Sequence, residues 1–226
     1  MPAALAALLV ALALLPGALG AAAPPPSPPC YNPLNDQLET ICYNTTAAAG
    51  NVTVRSYGVG LDATLVTGMS APTDFATGSL ASAVPVFEYF LADNGSFQKI
   101  PLTVPLIFRP SPAGTWLASF ALPLSLFPSP SRAPQILPNS DLLLERFAPP
   151  QAPAAGRLLA AYTFYTVQVA AQADYEAACA SLSAALPGLG LAPVPGAWRE
   201  AWVTYSTREM VGNMVNECWV EVAAQQ

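Results

Sequence analysis

The chain has 226 residues, and its eight Lys and Arg and fourteen Asp and Glu give a formal net charge of −6. A chain with so few basic residues lacks the positive surface that binds nucleic acid or anionic membranes, so both classes of partner are excluded. The sequence contains no His, which excludes an imidazole ligand to iron and the usual nucleophile and base arrangements of enzymes.

The first segment is typical of a secretory signal peptide. Residues 3–15 are all Ala, Leu or Val, and Ala18, Leu19 and Gly20 follow with the small-x-small spacing that signal peptidase prefers. A helix of about 13 residues spans ~20 Å, which is less than the ~30 Å bilayer core, so cleavage is favoured over an uncleaved anchor. We therefore expect a signal peptide over residues 1–20 and a secreted or lumenal protein without membrane contact after cleavage.

Residues 21–50 begin with a Pro-rich run that cannot form regular structure, and we expect them to be an extension tethered through its cysteines. Four Cys allow three pairings. We favour Cys30 with Cys42, which closes a loop of about 13 residues, and Cys179 with Cys218, which closes one of about 40. Asn44, Asn51 and Asn94 each begin an Asn-x-Ser/Thr sequon, which predicts glycosylation in an oxidising compartment.

The remaining residues, 51–226, are predicted to form one domain of alternating strands and helices. Period-two alternation predicts strands, and apolar residues at helical spacing predict two helices, over 73–92 and 174–186. The predicted strands cover residues 51–57, 61–67, 102–108, 115–122, 141–147, 157–169, 198–205 and 216–222. This order indicates an α+β fold, with an internal duplication left open.

Each helix has a predicted buried stripe. In the first helix the stripe is Leu80, Val84, Phe87 and Leu91, and Pro85 must either kink the helix or restart it. The second helix is predicted to be capped by Asp174 and to bury Tyr175, Ala178, Cys179, Leu182 and Leu186. In the last strand the alternation turns Cys218, Val220 and Val222 inward and Glu217 and Glu221 toward solvent.

Four motifs in order resemble the SOUL family of haem-binding proteins. They are the strand at 52–57, Ala83-Val84-Pro85, the stretch from Lys99 to Leu106, and Asn216-Glu217 followed by Trp219. The resemblance implies a twisted antiparallel sheet that closes toward a barrel and carries two helices, similar to the effector-binding domains of bacterial multidrug-responsive regulators. It also implies a shallow apolar cleft beside the first helix that holds haem or another tetrapyrrole.

Candidate ligand-binding residues follow from the stripe and its margin. Val84 and Phe87 belong to the stripe, while Tyr89 and Phe90 flank it and could stack on a flat ring. Arg55 and Lys99 are candidates for carboxylates of the ligand. The chain leaves only Tyr, Met, a free Cys or water to ligate iron, and residues 73–92 contain no basic residue to meet haem propionates.

The leading hypothesis is noncovalent binding of haem or a related tetrapyrrole by a monomeric lumenal or secreted protein. The alternatives are binding of a different hydrophobic ligand and a protein-interaction module whose cleft is filled by side chains. We expect no metal site, because the cysteines are assigned to disulfides, and no catalytic residues. An enzymatic function would need two carboxylates that converge in the cleft within ~10 Å.

Overall fold

A computed structural model describes residues 30–32, 35–57, 63–138, 140–147, 157–196, 200–205 and 214–224. The predicted signal peptide and the beginning of the Pro-rich run lie outside these residues. The helices are α1 (Phe75–Phe90) and α2 (Gln172–Ala185), with short 3-10 helices at Pro130–Arg132 and Pro187–Leu189. The strands are β1 (Cys30–Asn32), β2 (Asn35–Thr40), β3 (Asn44–Ala49), β4 (Val52–Tyr57), β5 (Thr64–Met69), β6 (Leu106–Pro110), β7 (Trp116–Ala121), β8 (Leu142–Arg146), β9 (Arg157–Thr166), β10 (Leu191–Pro193), β11 (Ala201–Thr204) and β12 (Met214–Ala224).

The main sheet has ten antiparallel strands in the order β3-β4-β9-β12-β11-β6-β7-β5-β8, and β10 pairs with one end of β12. A separate hairpin is formed by β1 and β2. The predicted α+β architecture with an antiparallel sheet and two helices is confirmed. The sheet is open, however, because β3 and β8 lie at its two ends and do not pair with each other. The expected closure toward a barrel is therefore not present in the part of the chain that the structure describes.

The topology is internally duplicated. One βαββ unit consists of β5, α1, β6 and β7, and the other of β9, α2, β11 and β12. In each unit the third strand lies between the first and the second, and the two units meet where β6 pairs with β11. The two halves of the sheet thus have mirrored strand orders about this junction. The duplication that the sequence left open is a property of the topology.

Most predicted elements are present with shifted ends, and the N-terminal extension is the largest difference. Residues 30–49 belong to the predicted extension, but they contain β1, β2 and β3, and β3 pairs with β4 in the main sheet. α1 runs without a break through Pro85 and is capped by Asp74, whose Oδ1 accepts a hydrogen bond from the Thr77 N–H at 3.0 Å. α2 begins earlier than predicted, and Asp174 accepts a hydrogen bond from the Ala171 N–H at 2.8 Å rather than occupying the cap itself.

Both helices pack on the same face of the sheet, and each face has its own buried cluster. The helix-side core contains residues of both helices together with alternate residues of the strands, among them Trp116, Trp202 and Cys218. The opposite-face core contains Ile41, Tyr57, Phe147 and Trp219. A third cluster joins the C-terminal half of α1 to β5, β7 and the loops beyond. Because both faces are covered, alternation along a strand separates two cores instead of core from solvent.

The predicted buried stripe of α1 is wrong. Leu80, Val84 and Leu91 have exposed fractions of 68%, 42% and 63%, and Phe87 is half-buried. The residues that face the sheet are instead Phe75, Gly78, Ser82, Ala83, Val86, Tyr89 and Phe90. Small side chains occupy the middle of this face because the helix lies very close to the sheet. A Cβ added to Gly78 would lie 2.3 Å from the Cδ1 atom of Trp116.

Both predicted disulfides are confirmed. Cys30 is bonded to Cys42 and Cys179 to Cys218, each with a Cα–Cα distance of 5.3 Å. The second bridge ties α2 to β12 within the helix-side core. Paired cysteines indicate an oxidising environment, which is typical of the secretory pathway and the cell exterior. Among the described residues, neither helix has the length and hydropathy needed to cross a bilayer.

Candidate functional site

A partly open cavity of about 350 Å³ lies between the N-terminal ends of α1 and α2. It sits over the junction of the two βαββ units, because β6 contributes Phe108 and β11 contributes Thr204 to its wall. The two helices start side by side at this junction, so the space between their first turns is left unfilled. The lining residues are Asp74, Phe75, Ala76, Ser79, Phe108, Val169, Ala170, Ala171, Gln172, Tyr175 and Thr204.

The floor of the cavity is an aromatic cluster centred on Phe75. Its ring makes edge contacts with Trp202 at 4.8 Å, Trp116 at 4.9 Å, Phe108 at 5.6 Å and Tyr175 at 5.8 Å between centroids. Tyr175 is stacked on Trp202 with an interplanar angle of 1° and a centroid distance of 5.2 Å. Such edge and stacked pairs favour fixed ring positions. The cavity therefore has an apolar aromatic floor to which both units contribute.

Few polar groups reach the cavity. The Tyr175 hydroxyl donates to Asn216 Oδ1 at 3.2 Å, and burial raises the pKa of this hydroxyl far above its ordinary value, so Tyr175 is neutral. At the rim, hydrogen bonds from the backbone and side chain of Thr77 lower the pKa of the Asp74 carboxyl, which is ionised. Among the described residues that line the cavity none is basic. The site is apolar with one negative charge at its edge.

These residues do not fit haem. The cavity lining contains no Met and no Cys, all four cysteines are in disulfides, and the chain has no His. Among the lining residues only Tyr175 has a phenol hydroxyl, and this hydroxyl is already hydrogen-bonded to Asn216. Haem propionates would lie near the like charge of the Asp74 carboxylate and would find no basic partner in the lining. In the described residues no three potential metal ligands are grouped.

The residues predicted to bind a ligand do not converge. Val84 is on the exposed side of α1, whereas Tyr89 and Phe90 are fully buried in the third cluster, where the Tyr89 hydroxyl donates to the Pro134 carbonyl at 2.6 Å. Phe87 is half-buried and packs edge-on against Phe120 at 5.1 Å. The cavity lies at the N-terminal end of α1, and none of the predicted residues lines it. The assignment of Tyr89 and Phe90 to the margin of an open cleft is therefore corrected.

Arg55 and Lys99 are also separated from the cavity. Lys99 is exposed beyond the C-terminal end of α1. Arg55 is buried on the opposite face of the sheet and forms two hydrogen bonds with Glu217, at 2.7 and 2.6 Å. The Arg55 guanidinium also lies over the ring of Tyr43, 4.5 Å from its centroid. Arg55 therefore forms an internal ion pair and is not placed to meet a carboxylate of a ligand. The prediction that Glu217 faces solvent is also wrong, because Glu217 is buried in this pair.

The opposite-face core holds two further ion pairs. Arg109 contacts Glu145, which also accepts a hydrogen bond from Thr67 at 2.6 Å, and Arg157 lies 3.6 Å from Glu221. The three arginines are buried, while Glu145 and Glu221 keep part of their surface in solvent. In each pair a carboxylate neutralises a buried guanidinium group. Charge pairing is therefore enough to explain why these groups are buried, and no catalytic role is needed to explain it.

The three sequons have different surroundings. Asn44 and Asn51 are exposed. Asn94 is fully buried, and its Nδ2 donates to the carbonyls of Tyr89 and Gln98 at 2.9 and 2.7 Å. An N-linked amide keeps only one N–H, so the folded chain cannot keep both hydrogen bonds and carry a glycan on Asn94. The prediction of glycosylation at Asn94 is at odds with this environment.

Sequence reasoning missed Phe75, Phe108 and Thr204 as cavity residues. One signal was available, since Asp74-Phe75 and Asp174-Tyr175 repeat an acidic and an aromatic residue at the start of each helix. The position of Thr204 beside Leu106, and of Trp202 beside Phe108, depends on the long-range pairing of β11 with β6. No local pattern in either strand indicates that pairing.

The comparisons with known proteins do not assign a family. No family model matches the sequence, and no curated protein matches it. A hydrolase from Listeria innocua is 11% identical with a TM-score of 0.46, over 79% of this chain and 94% of that chain. SAV2435, solved with bound tetraphenylphosphonium, is 11% identical with a TM-score of 0.36, over 76% of this chain and 93% of that chain. At these values neither likeness says anything about the chemistry of this chain.

Proposed function

We propose that this chain is a lumenal or secreted binding protein that holds a compact, planar hydrophobic molecule in the cavity between the N-terminal ends of α1 and α2. One observation carries the proposal, namely a cavity of about 350 Å³ whose floor is the aromatic cluster around Phe75. Ligand pockets are typically 300–1,000 Å³ and mostly apolar, with a few polar groups that orient the ligand. The protein acts as a monomer and performs no chemistry on the ligand.

The cavity favours one ligand class over another. Its volume is at the small end of the range for ligand pockets, so a molecule of one to three fused rings fits better than a tetrapyrrole. The carboxylate of Asp74 at the rim disfavours anions and favours neutral or cationic groups. The resemblance to the SOUL family supports a flat hydrophobic ligand in general, while the lining of the cavity supports a ligand other than haem.

The test uses three planar probes of different charge on the purified full-length secreted protein. We expect the neutral probe 2-aminoanthracene and the cation proflavine, each with three fused rings, to bind saturably at low micromolar concentration and to quench Trp fluorescence, since Trp202 stacks on the cavity residue Tyr175. Hemin, which is anionic through its propionates, should give no saturable Soret change. Saturable hemin binding would overturn the preference against tetrapyrroles.

Two variants of α1 locate the binding. Ala76 lines the cavity and is exposed, so Ala76→Phe should fill the cavity without disturbing the core and weaken 2-aminoanthracene binding at least about tenfold. Ala81 is exposed on the same helix and does not line the cavity, so Ala81→Phe is the matched control and should bind as the wild type does. Equal binding by both variants, or no saturable binding of 2-aminoanthracene or proflavine to the wild type, would contradict the proposal.

A protein-interaction module remains the second candidate, and two observations favour it. Tyr89 and Phe90, where the cleft was expected, are completely buried, and Leu80, Val84 and Leu91 present an apolar stripe on the outside of α1. Such a stripe is typical of a surface that contacts another protein. Failure of every probe to bind, together with self-association or capture of a partner that Leu80→Lys abolishes, would favour this function over ligand binding.

A further inference from the structure

β3 is an edge strand with no covering structure among the described residues. It pairs with β4 on one side only, and all six of its side chains are exposed. The outer side of such a strand presents backbone N–H and C=O groups that can pair with another strand. In an antiparallel sheet this is the arrangement by which two molecules join edge to edge.

Two common protective devices of an edge strand, charged side chains and Pro, are absent from β3. Its sequence, Asn-Thr-Thr-Ala-Ala-Ala, contains no charged residue and no Pro. The strand at the other end of the sheet, β8, differs because it carries Glu145 and Arg146, two charges that disfavour pairing with a second molecule. One irregularity in β3, a register shift between Thr45 and Ala47, leaves the following residues 47–49 in regular pairing with β4.

Both exposed sequons lie at the two ends of this strand. Asn44 is the first residue of β3, and Asn51 is in the turn that follows Ala49. Six residues of strand span about 20 Å, so glycans at these two positions would cover the length of the edge between them. The third sequon begins at Asn94, a buried residue in an otherwise exposed loop, and both hydrogens of its amide are bonded to carbonyls.

We infer that N-glycans on Asn44 and Asn51 shield the edge of β3 and prevent it from pairing with β3 of a second copy of this chain, and that Asn94 carries no glycan. A second copy is the partner because a strand of small, uncharged side chains can pair with itself antiparallel about a two-fold axis. The net charge of −6 lies elsewhere on the molecule, so β3 offers no local repulsion between copies. The inference does not depend on the ligand proposal.

The experiment begins with the full chain secreted from a eukaryotic host. Peptide mass mapping should find glycans on Asn44 and Asn51 and an unmodified Asn94. Ser96→Ala removes the third sequon while the backbone N–H of Ser96 still reaches Asn94 Oδ1, at 3.1 Å in the wild type. This variant should therefore leave the mass unchanged apart from the substitution itself. A glycopeptide that contains Asn94, or unmodified Asn44 and Asn51, would overturn the assignment.

The role of the glycans is tested with Asn44→Gln/Asn51→Gln. Light scattering should give a monomer for the wild type and a concentration-dependent dimer, with twice the molar mass, for the double variant. Adding Ala48→Lys on β3 should restore the monomer, because a charge on an edge strand blocks pairing. Ala180→Lys, an exposed position on α2, adds the same charge elsewhere and should leave the dimer intact. A monomeric double variant, or a dimer that persists with Ala48→Lys, would refute the shielding role.

Discussion

At the scale of single residues, the carboxylate of Glu217 is the centre of the opposite-face core. It accepts five hydrogen bonds from four side chains, namely those of Arg55, Thr163, Tyr205 and Trp219, with distances from 2.6 to 3.0 Å. Both members of the Arg55–Glu217 pair are buried. Every oxygen of the carboxylate is thus satisfied, and the removal of its charge would leave a buried guanidinium without a counter-ion.

We expect Glu217→Gln to destabilise the protein by about 3–5 kcal/mol, the usual cost of removing one partner of a buried ion pair. The matched control is Glu176→Gln, the same substitution on α2. Glu176 is exposed, and its carboxylate accepts a hydrogen bond from the exposed Gln172 amide at 2.7 Å, so its substitution should cost less than about 1 kcal/mol. Urea-induced unfolding of the two variants measures the difference. Equal losses of unfolding free energy would show that Glu217 has no special role.

The same residue predicts a dependence of stability on pH. Burial acts to raise the pKa of the Glu217 carboxyl, but the charge and hydrogen bonds of Arg55, with those of Trp219 and Thr163, outweigh burial and hold the pKa below its usual 4.5. The stabilising contribution is therefore complete above the unfolded pKa and is lost as the pH falls through the lower folded pKa. Unfolding free energies measured from pH 7 to pH 3 should fall less steeply for Glu217→Gln than for the wild type.

The sequence identifies the alternation around Glu217 but not what covers each face of the sheet. Cys218, Val220 and Val222 do point toward the helices, as predicted. Glu217 was predicted to face solvent because a charged residue opposite an apolar face is normally exposed. Its burial depends on Arg55 from β4 and Tyr205 beyond β11, two partners that only the strand order brings together.

At the scale of secondary structure, the position of α1 is set by close contact with the sheet. A Cβ added to Gly68 of β5 would lie 2.1 Å from the backbone oxygen of Ser82 in α1. The Ser82 hydroxyl turns back to its own helix and donates to the Gly78 carbonyl at 2.7 Å. Helix and strand therefore touch through backbone atoms, which leaves no room for larger side chains between them.

We expect Gly68→Ala to cost about 1–3 kcal/mol or more, because the new methyl group meets backbone atoms that can move only with the whole helix. The control is Gly188→Ala in the 3-10 helix Pro187–Leu189, where an added Cβ has no neighbour within 4 Å. Chemical denaturation of both variants tests this. A Gly68→Ala protein as stable as Gly188→Ala would mean that α1 does not approach β5 so closely.

This contact also explains why the helix was predicted over the right residues with the wrong face buried. The span from residue 73 to 92 contains the observed Phe75–Phe90. The prediction placed Leu80, Val84 and Leu91 on the buried face because their side chains are large and apolar. The close approach of the helix to the sheet instead requires small residues on that face, namely Gly78, Ser82 and Ala83. Hydrophobic periodicity measures apolar area, and it fails where the buried face must be small. In the second helix the predicted residues Tyr175, Cys179 and Leu182 are buried.

At the scale of the whole molecule, the two βαββ units meet at one short junction. β6 and β11 share three residue pairs, and the aromatic cluster of Phe75, Phe108, Trp116, Tyr175 and Trp202 joins the units above that junction. The candidate cavity opens at the same place. The sequence indicated the order of strands and helices, and so the fold class, but the site needs the pairing of residues more than ninety positions apart, as with Trp202 and Phe108.

The two disulfides act on this architecture in different places. Cys179–Cys218 ties the helix of the second unit to its last strand, 39 residues along the chain, whereas Cys30–Cys42 closes a ring with a separation of only 12 around the β1–β2 hairpin. The longer ring restricts the unfolded chain more, so its loss costs about 4 kcal/mol against about 3 kcal/mol for the shorter one. Both cysteines of the longer bridge are buried, whereas in the shorter bridge Cys42 is buried and Cys30 is partly exposed, so alanine leaves more buried space at the longer bridge.

We therefore expect Cys179→Ala/Cys218→Ala to lower the free energy of unfolding more than Cys30→Ala/Cys42→Ala. Guanidinium-induced unfolding of the oxidised proteins gives the two values, and peptide mapping without reductant confirms that the remaining bridge is intact. The hairpin near Cys30 contacts the main body through Ile41 and Cys42, which are buried in or beside the opposite-face core. A larger loss of unfolding free energy in Cys30→Ala/Cys42→Ala would contradict this expectation. It would mean that the Cys30–Cys42 bridge stabilises the sheet more than the bridge between α2 and β12 does.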